Sequence, residues 1–185
     1  MNFTRHSDLI GQHSFLSASK HSWVNYDEDK LVATYLKHLA TEKGTELHAL
    51  AEQLIRLKIK LPKSKQTLNS FVNDAIGFMM TPEQPLFYSA NSFGTTDAIS
   101  FRDNFLRIHD LKTGVSRVSM DQLEIYAALF CLEYKVEPRR IETELRIYQS
   151  DQIIVHNPEW KDIRVIMDKI ISFDKILNSI QNQED

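Results

Sequence analysis

Cysteine is almost absent from this chain. Cys131 is the only one in 185 residues, so no disulfide forms within the chain and no cysteine-ligated iron–sulfur cluster can assemble. Glycine and proline are scarce, at 5 each, which argues against a low-complexity linker or a disordered tail. No internal repeat is visible. No apolar run approaches the ~20 residues that span a membrane. Met1-Asn2-Phe3-Thr4-Arg5-His6 lacks the apolar core of a secretory signal, so a cytoplasmic protein away from membranes is expected. An excess of positive charge is missing too. The net charge is -3 and the pI about 6.2, so the composition does not advertise a nucleic-acid partner. A local basic groove can coexist with that total, because carboxylates gathered around metal ions lower the sum.

What is present is ordinary for a globular protein, at 42% hydrophobic and 25% charged residues. The length suits a single domain over 1–185, with a core over about 15–155 and a closing helix over about 160–180. Helical spacing of apolar residues predicts helices from Asp27 to Leu39 and from Thr45 to Ile59, the latter with Ala49, Leu50, Leu54, Ile55 and Leu57 on its apolar face. A third is predicted from Thr67 to Met80, and Pro82 and Pro85 then punctuate the chain. From Leu86 to Lys112 the period becomes alternating, as in an antiparallel meander. A helix over Met120–Tyr134, two strands within Ile141–Val155 and a helix over Trp160–Ile180 complete a mixed α/β domain with a central sheet.

The informative stretch runs from Phe93 to Lys112. Asp103-Asn104 suits a two-residue turn, since both residue types tolerate positive φ. That turn would set Phe101 against Leu106, Ile99 against Ile108 and Asp97 against Asp110, all on one sheet face, with Lys112 following Asp110 there. Two carboxylates at roughly 5 Å repel unless a cation lies between them. Mg²⁺ takes oxygen ligands and keeps several waters, which leaves room for a substrate phosphate. A lysine beside such a centre could orient the attacking water or neutralise charge developing on phosphorus. An acid two residues before a lysine is not specific by itself. Glu28/Lys30, Glu133/Lys135 and Glu159/Lys161 repeat the pattern, but those pairs lie in or beside helices, where i and i+2 do not share a face. A surface ion-pair ladder remains the alternative to a metal site.

Gly44, His48 and Glu52 stand at four-residue steps and so form one stripe of a helix. His48 and Glu52 could complete a carboxylate metal site, or could be a surface pair. His109 falls on the sheet face opposite Asp110 and is discounted. Gln122 and Tyr126, one helical turn apart, could line a groove beside Lys112 or simply be solvated and half-buried.

These pieces together resemble the RecB-type branch of the PD-(D/E)XK nuclease superfamily. The motifs are Gly44-xxx-His48-xxx-Glu52, Gly94-Thr95-Thr96-Asp97, Asp110-Leu111-Lys112-Thr113-Gly114 and Gln122-Leu123-Glu124-Ile125-Tyr126, with Leu16-Ser17-Ala18-Ser19-Lys20 similar to the opening segment of such domains. The resemblance covers about residues 15–135. It implies a restriction-endonuclease-like core, a central mixed sheet flanked by helices. It implies Mg²⁺ or Mn²⁺, as one or two ions, held by His48, Asp97 and Asp110, with Lys112 as the catalytic lysine. Gln122 and Tyr126 would contact DNA or support the site, and Glu52 has a less defined supporting role. The cysteine cluster of some relatives is missing, so no iron–sulfur cluster is expected. The implied activity is hydrolysis of DNA phosphodiester bonds, as an exonuclease of recombination, repair or phage DNA metabolism. Alternatives are a structure-specific or nicking endonuclease and an inactive DNA-binding scaffold. The implied partner is DNA, with a second copy or a recombination or single-strand-binding protein as further candidates.

Overall fold

The computed structural model describes Ser7, Gly11 and residues 14–184. The expectation drawn from Met1–His6 therefore lies outside the described residues. The chain divides into two compact units, 1–43 and 44–185.

In the first unit, Leu16-Ser17-Ala18-Ser19-Lys20 leads into a 3₁₀ segment, Ala18–Asn25. Ser17 caps it by accepting the Ser19 amide at 3.3 Å, and Phe15 packs on Tyr35 and His38 with ring centroids 4.9 and 5.4 Å away. Helix α1 then starts at Glu28, where Asp27 Oδ1 accepts the Lys30 amide at 2.8 Å.

Helix α1 is a single 30-residue element, Glu28–Leu57, where the sequence pattern suggests two helices. The apolar spacing lapses over residues 40–44, yet Ala40, Glu42 and Lys43 are strong helix formers, and only Thr41 and Gly44 weaken the run. Gly44 is needed where it stands, because a Cβ at that position would come 2.8 Å from Thr113 Oγ1. The buried face of α1 in the second unit is Gly44, Ala51 and Ile55, with Leu54 alongside. Ala49, Leu50 and Leu57 were expected on that face. All three are exposed.

Helix α2, Thr67–Gly77, ends earlier than its apolar pattern suggests, as Phe78 and Met79 turn the chain into strand β1, Thr81–Ser89. The expected strand start was Leu86. Pro82 and Pro85 sit inside β1, opposite Ala98 and Thr95. Proline is tolerated there because β1 is an edge strand, with one side outside the ladder. Strands β2 (Ser92–Arg102) and β3 (Phe105–Lys112) follow, then α3 (Asp121–Glu133), β4 (Glu142–Gln149), β5 (Gln152–His156) and α4 (Trp160–Glu184).

The sheet order is β1-β2-β3-β4-β5. Only β3 and β4 are parallel, because α3 carries the crossover between them. One face buries Ile99, Leu106, Ile108, Leu145 and Ile147 against Leu123 and Ala127 of α3 and Ile163 and Met167 of α4. The other buries Ala98, Leu111 and Tyr148 against Ala51 and Ile55 of α1 and Phe71, Val72 and Ala75 of α2. The second unit is thus a mixed α/β arrangement, a five-stranded mixed sheet flanked by helices. Truncating a fully buried member of the first face, such as Leu106, to Ala would cost roughly 2–5 kcal/mol. No helix among the described residues is long and apolar enough to cross a membrane.

Candidate functional site

The β2–β3 hairpin turns at Asp103 and Asn104, whose φ values of 50° and 62° are those of a type I′ turn. Its register pairs Phe101 with Leu106 and Ile99 with Ile108, and the last ladder pair is Ala98 with His109. One step beyond, a side chain takes over from the backbone. Asp97 Oδ2 accepts the Leu111 amide at 2.7 Å.

Asp110 lies on the central strand β3, paired in parallel with Ile147 of β4, and is only 3% exposed. Lys112 Nζ sits 3.0 Å from its Oδ2 and 3.1 Å from its Oδ1. The ammonium thus lies against both oxygens of the buried carboxylate and donates a hydrogen bond to Oδ1. Lys112 also donates to Gln122 Oε1 at 2.8 Å, and Gln122 Nε2 donates to the Tyr126 hydroxyl at 3.2 Å. The helical spacing of Gln122 and Tyr126 on α3 thus presents both toward the end of β3. Gly94 admits Tyr126, since a Cβ there would meet its Cε1 at 2.9 Å.

From α1, His48 Nδ1 approaches Asp97 Oδ1 to 3.4 Å. Glu52, one turn on, does not pair with His48. It accepts from Arg56 Nε at 2.8 Å and stays at the margin. His109 is on the opposite face, fully buried beside Phe78 and Tyr148. Burial first, then Arg146 and Arg107, pushes its pKa down to about 3, and it takes no part in the cluster.

Glu83 is a residue that the sequence pattern does not single out. The register that pairs Pro82 with Ala98 and Gln84 with Thr96 puts it opposite Asp97. Its φ of 48° lies in the left-handed region, unusual for a non-glycine residue inside a strand. His48, Glu83 and Asp97 each offer a ligand atom, all within 4.8 Å of one another. The signal available was an acid on the strand facing Asp97, but the flanking prolines disguise that strand as a loop.

The local electrostatics follow from this crowding. Burial raises the pKa of Asp110, the Asp97 charge raises it further, and Lys112 opposes both. Burial also raises Glu83, followed by the Asp97 and Glu52 charges. The hydrogen bond to Asp97 raises His48 against the effect of burial, with help from Glu83 and Asp110. Burial leads the Asp110 and Glu83 shifts and the Asp97 charge adds to both, so negative charge is held close together in a partly dry site. A divalent cation would relieve it, and His48, Glu83 and Asp97 offer one imidazole and two carboxylates that could hold one. No family model matches the chain, and no curated protein or solved structure matches it either.

Proposed function

We propose that the chain is a divalent-metal-dependent deoxyribonuclease built on a PD-(D/E)XK core of the RecB-type branch. The observation that carries this reading is the convergence of Asp97, Asp110 and Lys112 at one end of the β2–β3 hairpin, where the Lys112 ammonium lies against both oxygens of the buried Asp110 carboxylate. His48, Asp97 and Asp110 would hold the ion. When bound, it would supply Lewis-acid activation of water and of the scissile phosphate.

The chain's own groups account for the rest. Lys112 is held between Asp110 and Gln122, so its ammonium is positioned before substrate arrives. Gln122 fixes that orientation and is itself braced by Tyr126. A polyanionic substrate is supported by Lys58, Lys60, Lys63 and Lys65, which lie in the connection after α1. All are exposed, and no ion pair among the described residues engages them. The segment carrying them is pinned, because Asn73 both accepts the Leu61 amide at 2.9 Å and donates to the Leu61 carbonyl at 3.0 Å.

The test is an assay on linear and circular DNA, each single- and double-stranded, with and without Mn²⁺. Metal-dependent loss of linear DNA alone supports an exonuclease, and cleavage of circles an endonuclease. Binding without cleavage under either metal would replace the nuclease with a DNA-binding scaffold.

A further inference from the structure

We infer that the first unit carries a binding site for single-stranded DNA, in which aromatic rings take a base while Lys20 and Lys37 take the phosphates beside it. The site is a pocket of about 350 Å³, a volume that suits a small group rather than a protein element. One wall is a single stripe of α1, since Thr34, Lys37, His38 and Thr41 stand at i, i+3, i+4 and i+7. Phe15 and the 3₁₀ segment, with Trp23 and the adjoining Tyr26, supply the rest. The inference takes its partner, DNA, from the proposed function, but it uses no residue of the metal centre.

The rings are held before any ligand arrives. Trp23 Nε1 donates to the Ser17 carbonyl at 2.9 Å, and the Tyr26 hydroxyl lies 3.3 Å from Ser22 Oγ. Phe15 stacks on His38 with the ring planes 26° apart. Rings fixed in this way lose little further freedom when a base stacks on them. All four are only half-buried, so ring surface remains open. Lys20 and Lys37 are exposed, and neither ammonium has a hydrogen bond or ion pair among the described residues. Glu42 is engaged by His38 at 3.5 Å and not by either lysine. Serines and threonines complete the lining, and no carboxylate belongs to it, so an anion entering meets no opposing charge in the pocket wall. Aromatic rings beside unclaimed ammonium groups match a base and its phosphates. In a duplex each base face is covered by its neighbours, so the match is to a single strand.

The experiment reads the pocket through Trp23 itself. The chain has 2 tryptophans, so Trp160→Phe leaves Trp23 as the sole indole emitter. This full-length variant is titrated in EDTA, where no metal-dependent cleavage occurs, with short oligo(dT), with an abasic strand of the same length and with a duplex. Oligo(dT) is expected to quench Trp23 saturably. The abasic strand, which keeps the phosphates and lacks the bases, is expected to bind about tenfold or more weakly, and so is the duplex. Adding Lys20→Gln and Lys37→Gln should weaken oligo(dT) binding by a similar factor and lower its salt slope by roughly 1.4, at ~0.7 per phosphate of a single strand. Both lysines are exposed, so their loss should not disturb folding, and thermal melting checks this. If the double variant does not fold, each single substitution takes its place, with half the slope change expected. Absence of quenching by oligo(dT), equal binding of the abasic strand or of the duplex, or a salt slope indifferent to the lysines overturns the inference. Quenching in a chain that cleaves no DNA under any metal overturns the nuclease reading alone. Metal-dependent cleavage by a chain whose Trp23 no strand quenches overturns this inference alone.

Discussion

The two oxygens of Asp97 face different partners: Oδ2 accepts the Leu111 amide at 2.7 Å, while Oδ1 lies 3.4 Å from His48 Nδ1. The residue is therefore a brace between β2 and β3 as well as a candidate ligand, and the two roles separate by substitution. Asp97→Asn keeps an acceptor for the Leu111 amide and loses the charge. Asp97→Ala loses both, and leaves the amide of a residue only 2% exposed without a partner. Both variants should lack Mn²⁺-dependent cleavage. Thermal melting in EDTA should find the Ala variant less stable than the Asn variant by about 1–3 kcal/mol. Equal stabilities would remove the bracing role, and near-full activity in Asp97→Asn would remove Asp97 from the ligand set.

Asp110 gives a prediction with the opposite sign. Its carboxyl is raised above the ordinary value by burial and by Asp97. The folded state therefore holds its proton to higher pH than the unfolded state does. Between those two values the native form binds more protons, so stability falls as pH rises through that window. At neutral pH without metal, Asp110→Asn should melt higher than wild type, because Lys112 keeps Gln122 as a partner and is not left stranded. Melting in EDTA across the acid-to-neutral range checks this. A variant that melts lower than wild type at neutral pH would show that the pairing with Lys112 outweighs desolvation.

Lys112 separates a catalyst from a binder. If its ammonium acts on the water or the transition state, its effect belongs in turnover rather than in substrate affinity. Lys112→Ala should lower the single-turnover rate in Mg²⁺ by orders of magnitude, roughly 10²-fold or more. Binding in Ca²⁺ at fixed salt should change by about tenfold or less. The reverse pattern, with weakened binding and little change in rate, would make Lys112 a phosphate-binding residue only.

The exposed lysines after α1 predict a different signature. Charge reversal by Lys60→Glu together with Lys63→Glu should weaken DNA binding across sequences. It should also lower the slope of log affinity against log salt by about 2, one for each phosphate that a lysine no longer neutralises. The readout is a set of binding isotherms in Ca²⁺ at several salt concentrations. An unchanged slope would place the DNA path elsewhere on the chain.

Much of this architecture is legible in the residues themselves. The Asp103-Asn104 turn fixes the β2–β3 register, because both residues accept positive φ and the side-chain period of a strand is two. The α3 face of Leu123, Ala127, Phe130 and Cys131 is buried as its spacing predicts. Other features depended on tertiary packing. Continuity of α1 through residues 40–44 rests on helix formers around a glycine that faces Thr113. The start of β1 is hidden because proline is forbidden in a central strand yet permitted at an edge, and edge position is a property of the assembled sheet. Glu83 is hidden with it, and Glu52, on a helical stripe with His48, turns to Arg56 instead. The sequence alone determined local periodicity, the turn and the order of the acids along the hairpin, because these depend on neighbours a few residues away. Which helix face meets the hairpin, and which of two acids from different elements reaches Asp97, was decided only by packing, because those distances are set by residues far apart in the chain.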